Sequence, residues 1–266
     1  MLKLHHTDLG GAGKPPMLVL HGMLGSARNW QTTGRDFTGS TGSPQGRGYH
    51  VFALDARNHG KSPHAPEMNY GVLAGDIIAW MDVRRMARAT LVGHSMGGKA
   101  AMLLACRHPE RVERLVVVDI APKDYHWVAH RAEFAAMNEL DLGSLQSRQE
   151  AELRFEARVP RHGMRKFLTT NLERDHHHGW RWTVNLPVLT ESLPAMEKNS
   201  LLADDRFAGP ALFIAGGRSP YVQAGDHAII KRHFPAARIE VIADSGHNPH
   251  MDRREEFVRL VESTSL

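Results

Sequence analysis

Six short apolar runs alternate with stretches of helical spacing along this 266-residue chain. The runs are MLVLHG (17–22), HVFALDA (50–56), ATLVGH (89–94), LVVVDIA (115–121), ALFIAGG (211–217) and IEVIADSGH (239–247). Each has strand length and an apolar centre, and most end in glycine or a polar residue. Strands that are apolar on both faces need cover on both faces, which a parallel sheet between two helix layers supplies. Apolar residues recur at helical intervals over 71–86, 97–107, 222–233 and 252–262. The expected fold class is therefore α/β, with a mostly parallel, doubly wound sheet.

Two stretches break the rhythm. Residues 33–48, TGRDFTGSTGSPQGRG, are rich in Gly, Ser and Thr and read as a partly mobile surface loop. Residues 123–208 show no convincing strand but several helix-like segments, among them WVAHRAEFAAMNEL and LQSRQEAELRFEARV. The expected organisation is a core made of 1–122 and 209–266, with a helical cap at 123–208 placed to cover the sheet edge. The length suits one α/β domain with such an insertion.

Composition narrows the classes of function. Apolar content of 42% and charged content of 23% are ordinary for a globular protein. No run approaches the roughly 18 apolar residues of a membrane span. The N-terminal stretch has no h-region or small-residue cleavage site, so no secretory signal is expected. The one cysteine, Cys106, excludes an internal disulfide and suits a reducing interior, cytoplasmic or within an organelle. Its surroundings, AAMLLACRHP, read as a buried helix face. The net charge of +4 is spread along the chain rather than gathered in a basic block, so no nucleic-acid partner is expected.

Gly93-His94-Ser95-Met96-Gly97 lies where ATLVGH ends and GGKAAMLLACRHP begins. This is G-x-S-x-G between a strand and a helix. A turn that sharp strains the backbone at its tip, and side chains two residues to either side would collide, which glycine avoids. Ser95 is then lifted clear of the sheet, with the N–H groups of the following helix behind it. A serine hydroxyl is a weak nucleophile and needs a base, which in turn needs a carboxylate.

Among 18 histidines, His247 ends the last strand and emerges at the same sheet edge as Ser95. His250 is a nearby rival, read as a packing residue, and His94 must point away from Ser95. His176, His177 and His178 resemble a metal run but have no acid or cysteine at ligand spacing, so no metal is expected. For the carboxylate, the turn after ALFIAGG carries no acid. Asp119, ending the strand that neighbours the serine's own, is the first candidate and Asp226 the alternative. Asp55 and Asp244 read as structural. In HGMLGS (21–26), glycines let the chain fold back over the site, so that the N–H groups of Met23 and Met96 converge on a substrate carbonyl oxygen.

These motifs together resemble the α/β-hydrolase superfamily over nearly the whole chain. The matching segments are HGMLGS, DARNHGKSPH (55–64), VGHSMGGKAAMLLA, VVVDIAP, GGRSPYV and the final GH. They are similar in particular to the small intracellular serine esterase and thioesterase branch, which includes bacterial esterases and related mitochondrial abhydrolase-domain proteins. In that branch the acid lies on the strand after the nucleophile helix, which the resemblance places at Asp119. The chain departs from it in a longer 33–48 loop and in GHNPHMD, where Asn248 replaces the usual aromatic after the histidine. The resemblance implies an α/β-hydrolase fold with a helical cap and a Ser95–His247–Asp119 triad. It implies cleavage of a small acyl ester or thioester through an acyl-enzyme, without cofactor. Trp127, Phe134, Met137, Trp180, Trp182 and Leu186 would line the cap interior. Carbon–carbon bond hydrolysis, perhydrolysis, or a low-turnover ligand receptor are the alternatives on the same triad. The oligomeric state is open.

Overall fold

A computed structural model describes residues 2–39, 48–175 and 179–263. Its main sheet has seven strands: β1 (His6–Gly10), β2 (Pro16–Leu20), β3 (His50–Leu54), β4 (Ala89–His94), β5 (Val112–Val118), β8 (Ala211–Gly216) and β9 (Arg238–Ile242). Their spatial order is β1-β3-β2-β4-β5-β8-β9. All neighbouring pairs are parallel except β1 with β3. The six apolar runs all became strands. β1 is an addition, since HTDLG buries only Leu9 and carries no apolar run.

Alternate residues of each central strand point to opposite faces. Leu18, Leu91, Leu115, Val117 and Phe213 enter one cluster, and Met17, Val19, Val92, Val116 and Ile214 the other. The first face is covered by α2 (Tyr70–Val83) and α3 (Met96–Arg107). The second is covered by Trp30 and Phe37, which flank α1 (Gln31–Asp36), and by Phe257 and Val261 of α10 (Arg254–Glu262). β9 lies at the edge, where charged Arg238 and Glu240 discourage further pairing.

Between β5 and β8 the chain leaves the sheet. It forms α4 (Val128–Glu139), α5 (Arg148–Arg154), α6 (His162–Thr169), β6 (Leu172–Asp175), β7 (Gly179–Trp182) and α7 (Leu186–Glu197). β6 and β7 pair antiparallel, Leu172 opposite Trp182. This corrects the strandless reading of 123–208. Strands of four residues, LERD with three consecutive charges and GWRW with its tryptophans only half-buried, bury too little to leave an apolar run. After β8 come α8 (His227–His233) and, before α10, α9 (Pro249–Asp252).

The loop expected at 33–48 is also corrected at its start. Residues 31–36 are helical, Phe37 is fully buried, and the Thr33 hydroxyl donates to the His250 carbonyl at 2.6 Å. Residues 40–47 lie outside the described residues, as do His176, His177 and His178. Among the described residues no helix is long and apolar enough to cross a membrane.

Candidate active site

The bend between β4 and α3 sets the site. Ser95 has φ 51° and ψ −114°, a conformation that costs a non-glycine residue free energy and persists only where its surroundings enforce it. They do so here. The Ser95 N–H donates to Val118 O at 3.1 Å, and the Gly97 N–H donates to His21 O at 3.2 Å. A Cβ on Gly93 would stand 2.4 Å from Gly97 O, and one on Gly97 would stand 2.7 Å from His21 O. The two glycines of the motif are thus demanded by backbone contact. Ser95 is buried at the head of α3, and no hydrogen bond joins its Oγ to His247 among the described residues. Such contacts often tighten only when substrate is bound.

Asp119 follows β5, the neighbour of β4 on which His94 pairs with Val118. Its φ is 49°, and its N–H donates to Ile214 O at 2.8 Å. The carboxylate is 1% exposed and fully engaged. Oδ1 accepts from the Gly216 N–H at 2.9 Å. Oδ2 accepts from the Ser219 hydroxyl and lies 2.7 Å from His247 Nδ1. Ser219 was not singled out from sequence. Its signal is the gap itself: it occupies the turn after ALFIAGG, which carries no acid.

His247 is held from three sides. Its carbonyl accepts from His94 Nε2 at 2.8 Å, which pins its backbone to the residue before Ser95. The preceding Gly246 N–H donates to Asp252 Oδ2 at 2.9 Å. The Tyr221 ring stacks on the imidazole at 3.9 Å and 19°. His94 is turned toward the His247 loop, its ring 4.6 Å from that of His247 and 4.9 Å from that of His250. His250 in turn stacks on Trp30 at 4.3 Å. Burial holds His94 well below the usual imidazole range and pushes His250 down to about 3. Both are neutral packing groups.

The competing carboxylates have other partners. Asp226 pairs with Lys123 at 2.6 Å and caps Gln223 N. Asp244 sits between Arg218 and Arg253. Asp55 accepts from the N–H groups of Ala27 and Lys61, tying two loops together.

The HGMLGS loop runs directly over the serine. A Cβ on Gly22 would lie 3.3 Å from Ser95 Cβ and 2.9 Å from His94 Nδ1. Two buried imidazoles shape it. His21 Nε2 accepts from Ala56 N–H at 3.0 Å, so its Nδ1 bears the proton and donates to Gly22 O. His59 Nε2 likewise accepts from Leu24 N–H at 3.2 Å, and its Nδ1 donates to Arg57 O. Burial pushes His59 down to about 3 and lowers His21. Leu24 has φ 59°, which turns the chain back, and the Asn171 amide of the insertion donates to Leu24 O at 2.9 Å. Met23 and Met96 are both buried. Met96 opens α3, so its N–H has no acceptor within the helix.

Trp127, Phe134, Met137 and Leu186 are buried in the insertion, while Trp180 and Trp182 are half-buried. Cys106 is half-buried, and burial pushes its thiol up to about 12, which keeps it protonated.

This sheet order, with a strained serine at the end of its central strand and an Asp–His pair beside it, defines an α/β hydrolase. The chain belongs to the family of the alpha/beta hydrolase fold, which matches residues 15–254. It is 37% identical over 262 residues to mouse (Mus musculus) sn-1-specific diacylglycerol lipase ABHD11, covering 96% of this chain and 82% of that one. It is 35% identical over 247 residues to esterase YbfF of Escherichia coli, covering 92% and 91%. Among solved structures, a marine microorganism esterase superposes with a TM-score of 0.92 at 30% identity, over 98% of both chains.

Proposed function

We propose that the protein hydrolyses carboxylic esters, with acyl thioesters as a close variant, through an acyl-enzyme formed on Ser95. The observation that carries this reading is the 2.7 Å contact of His247 Nδ1 with buried Asp119. Nδ1–H donates to the carboxylate, so Nε2 is left to accept the Ser95 proton. Ser95 Oγ attacks the acyl carbonyl, and the N–H groups of Met23 and Met96 stabilise the oxyanion. Each such donor contributes on the order of 3 kcal/mol to the transition state. His247 then protonates the leaving alcohol or thiol, and next activates the water that releases the acid. Asp119, already taking three hydrogen bonds, is held in place to orient and steady the imidazolium. The esterase and lipase names of the relatives support this chemistry. In the same reading, residues 123–208 form a cap whose apolar side chains wall the acyl group.

The test is hydrolysis of p-nitrophenyl esters of graded chain length beside the matching acyl thioesters. Steady turnover, lost in Ser95→Ala together with labelling by a fluorophosphonate, is the expected result. A single stoichiometric burst points instead to the receptor alternative. Wild-type turnover by Ser95→Ala would refute the reading.

A further inference from the structure

Lys99 has no exposed surface, and the chemistry above does not use it. It lies on α3 one turn beyond Ser95. Its Nζ donates to Lys123 O at 3.2 Å and to Lys198 O. The first carbonyl lies where the chain leaves the core after β5, and the second where it returns after α7. The Tyr70 and Tyr125 rings stand 5.1 and 5.2 Å from Nζ. A buried lysine head keeps its place only when such acceptors and ring faces replace water, and burial pushes this one down to about 7. One side chain on the nucleophile helix therefore holds both ends of the insertion.

Tyr125 carries the connection onward. Its N–H donates to Glu197 O at 2.8 Å, joining the two ends a second time. Its hydroxyl accepts from the Ala121 N–H at 2.8 Å and donates to Tyr221 O at 2.7 Å. Tyr221 is the residue whose ring lies flat on His247. Burial pushes the Tyr221 hydroxyl up to about 12, so it meets the imidazole as a neutral ring.

We propose that Tyr125, clamped against α3 by Lys99, is a positioning residue for the reaction: its hydroxyl fixes Tyr221 as the wall that aims the His247 imidazole. The proposal rests on the serine-hydrolase reading. Seating the insertion and orienting the base are then a single event. An insertion released from Lys99 frees Tyr125, and the imidazole loses its wall while its Asp119 contact remains.

The experiment compares Tyr125→Phe, Lys99→Met and the double variant on p-nitrophenyl acetate, a substrate too small to need the cap wall. Tyr125→Phe, which removes one oxygen, is expected to lower kcat about tenfold and change KM less than about twofold, as misplacement of a reacting group does. The acidic limb of its kcat/KM profile shifts: among the groups facing His247 (Asp119, Tyr221, His94 and His250), the Tyr221 ring then meets it in a different geometry while Asp119 stays in contact. The double variant loses no more than the worse single, since both act through one contact chain. Lost thermal stability with unchanged kcat and pH profile in Tyr125→Phe would overturn the proposal, as would additive losses in the double variant. Should Lys99→Met fail to fold, Tyr125→Phe decides alone. Fluorophosphonate labelling separates the two readings. An unlabelled wild type sinks the hydrolase reading and the proposal with it, whereas a labelled wild type with Tyr125→Phe labelled at the same rate sinks the proposal alone.

Discussion

The Ser219 hydroxyl donates to Oδ2 of Asp119, the same oxygen that meets His247 Nδ1. The buried carboxylate is thus held from both sides, and its second oxygen is fixed by the Gly216 N–H. Three donors on one buried acid keep it immobile, which is what an orienting partner of an imidazole requires.

A ranking of side-chain effects follows. Asp119→Asn should lower kcat by about three to four orders of magnitude, because an amide stabilises the wrong tautomer and no imidazolium. Ser219→Ala should cost about tenfold, since it removes one of three hydrogen bonds and leaves the charge in place. Asp226→Asn breaks only the pair with Lys123 and should stay within about twofold, as part-exposed ion pairs do. Steady-state hydrolysis of a p-nitrophenyl ester checks the order. An Asp226 effect exceeding that of Asp119 would remove Asp119 from its proposed role.

The elbow glycines give a prediction about folding. Gly93→Ala places a methyl 2.4 Å from Gly97 O, a contact with backbone that no rotamer relieves. The cost should reach about 3 kcal/mol or more, in the range of overpacking and backbone strain. Urea unfolding at constant m-value checks it. A midpoint equal to wild type would show that the bend relaxes freely, contrary to the contacts that frame Ser95.

Asn171 joins the insertion to the HGMLGS loop through Leu24 O, and both partners are buried. Asn171→Ala leaves that carbonyl unpaired, at a stability cost of about 1–3 kcal/mol. Because Leu24 follows Met23, the loop that is proposed to hold the oxyanion loosens, and kcat should fall about tenfold on short and long esters alike. Loss confined to long esters would place the effect in the acyl wall instead.

The central sheet was legible because its strands are buried on both faces, which forces continuous apolar runs. The elbow was legible because backbone contact leaves glycine no substitute at 93 and 97. β1 was not, since an antiparallel edge strand that buries only Leu9 has no such pattern. Nor was the β6–β7 hairpin, whose pairing of Leu172 with Trp182 spans a ten-residue separation with little burial. Ser219, Tyr125 and Lys99 were hidden for another reason. A serine in a turn, a tyrosine after a lysine-aspartate pair and a lysine on a helix all read as surface. Their partners lie far along the chain: Asp119 for Ser219, Tyr221 for Tyr125, and Lys198 for Lys99.

The buried imidazoles predict how stability depends on pH. His21, His59, His94 and His250 are all held below their usual value of 6.5 by burial, His59 and His250 to about 3. As pH falls through 6.5, the unfolded chain protonates these four imidazoles more readily than the native state does. Stability conferred by keeping these groups neutral is therefore complete above 6.5 and is lost as pH falls below it, down to about 3 for His59 and His250. His59 and His250 each contribute a slope of about 1.4 kcal/mol per pH unit in the window from 6.5 to about 3, and His21 and His94 add to it in the same direction. Lys99, pushed down to about 7, is mostly protonated in both states below 6.5 and adds little there. Urea midpoints at pH 7, 6, 5 and 4.5 should fall steeply. His250→Phe keeps the stack on Trp30 and removes one of the four imidazoles, so its decline should be shallower by about one proton's slope. Equal slopes for the two proteins would mean that His250 takes up its proton while folded, against its burial between Trp30 and His94.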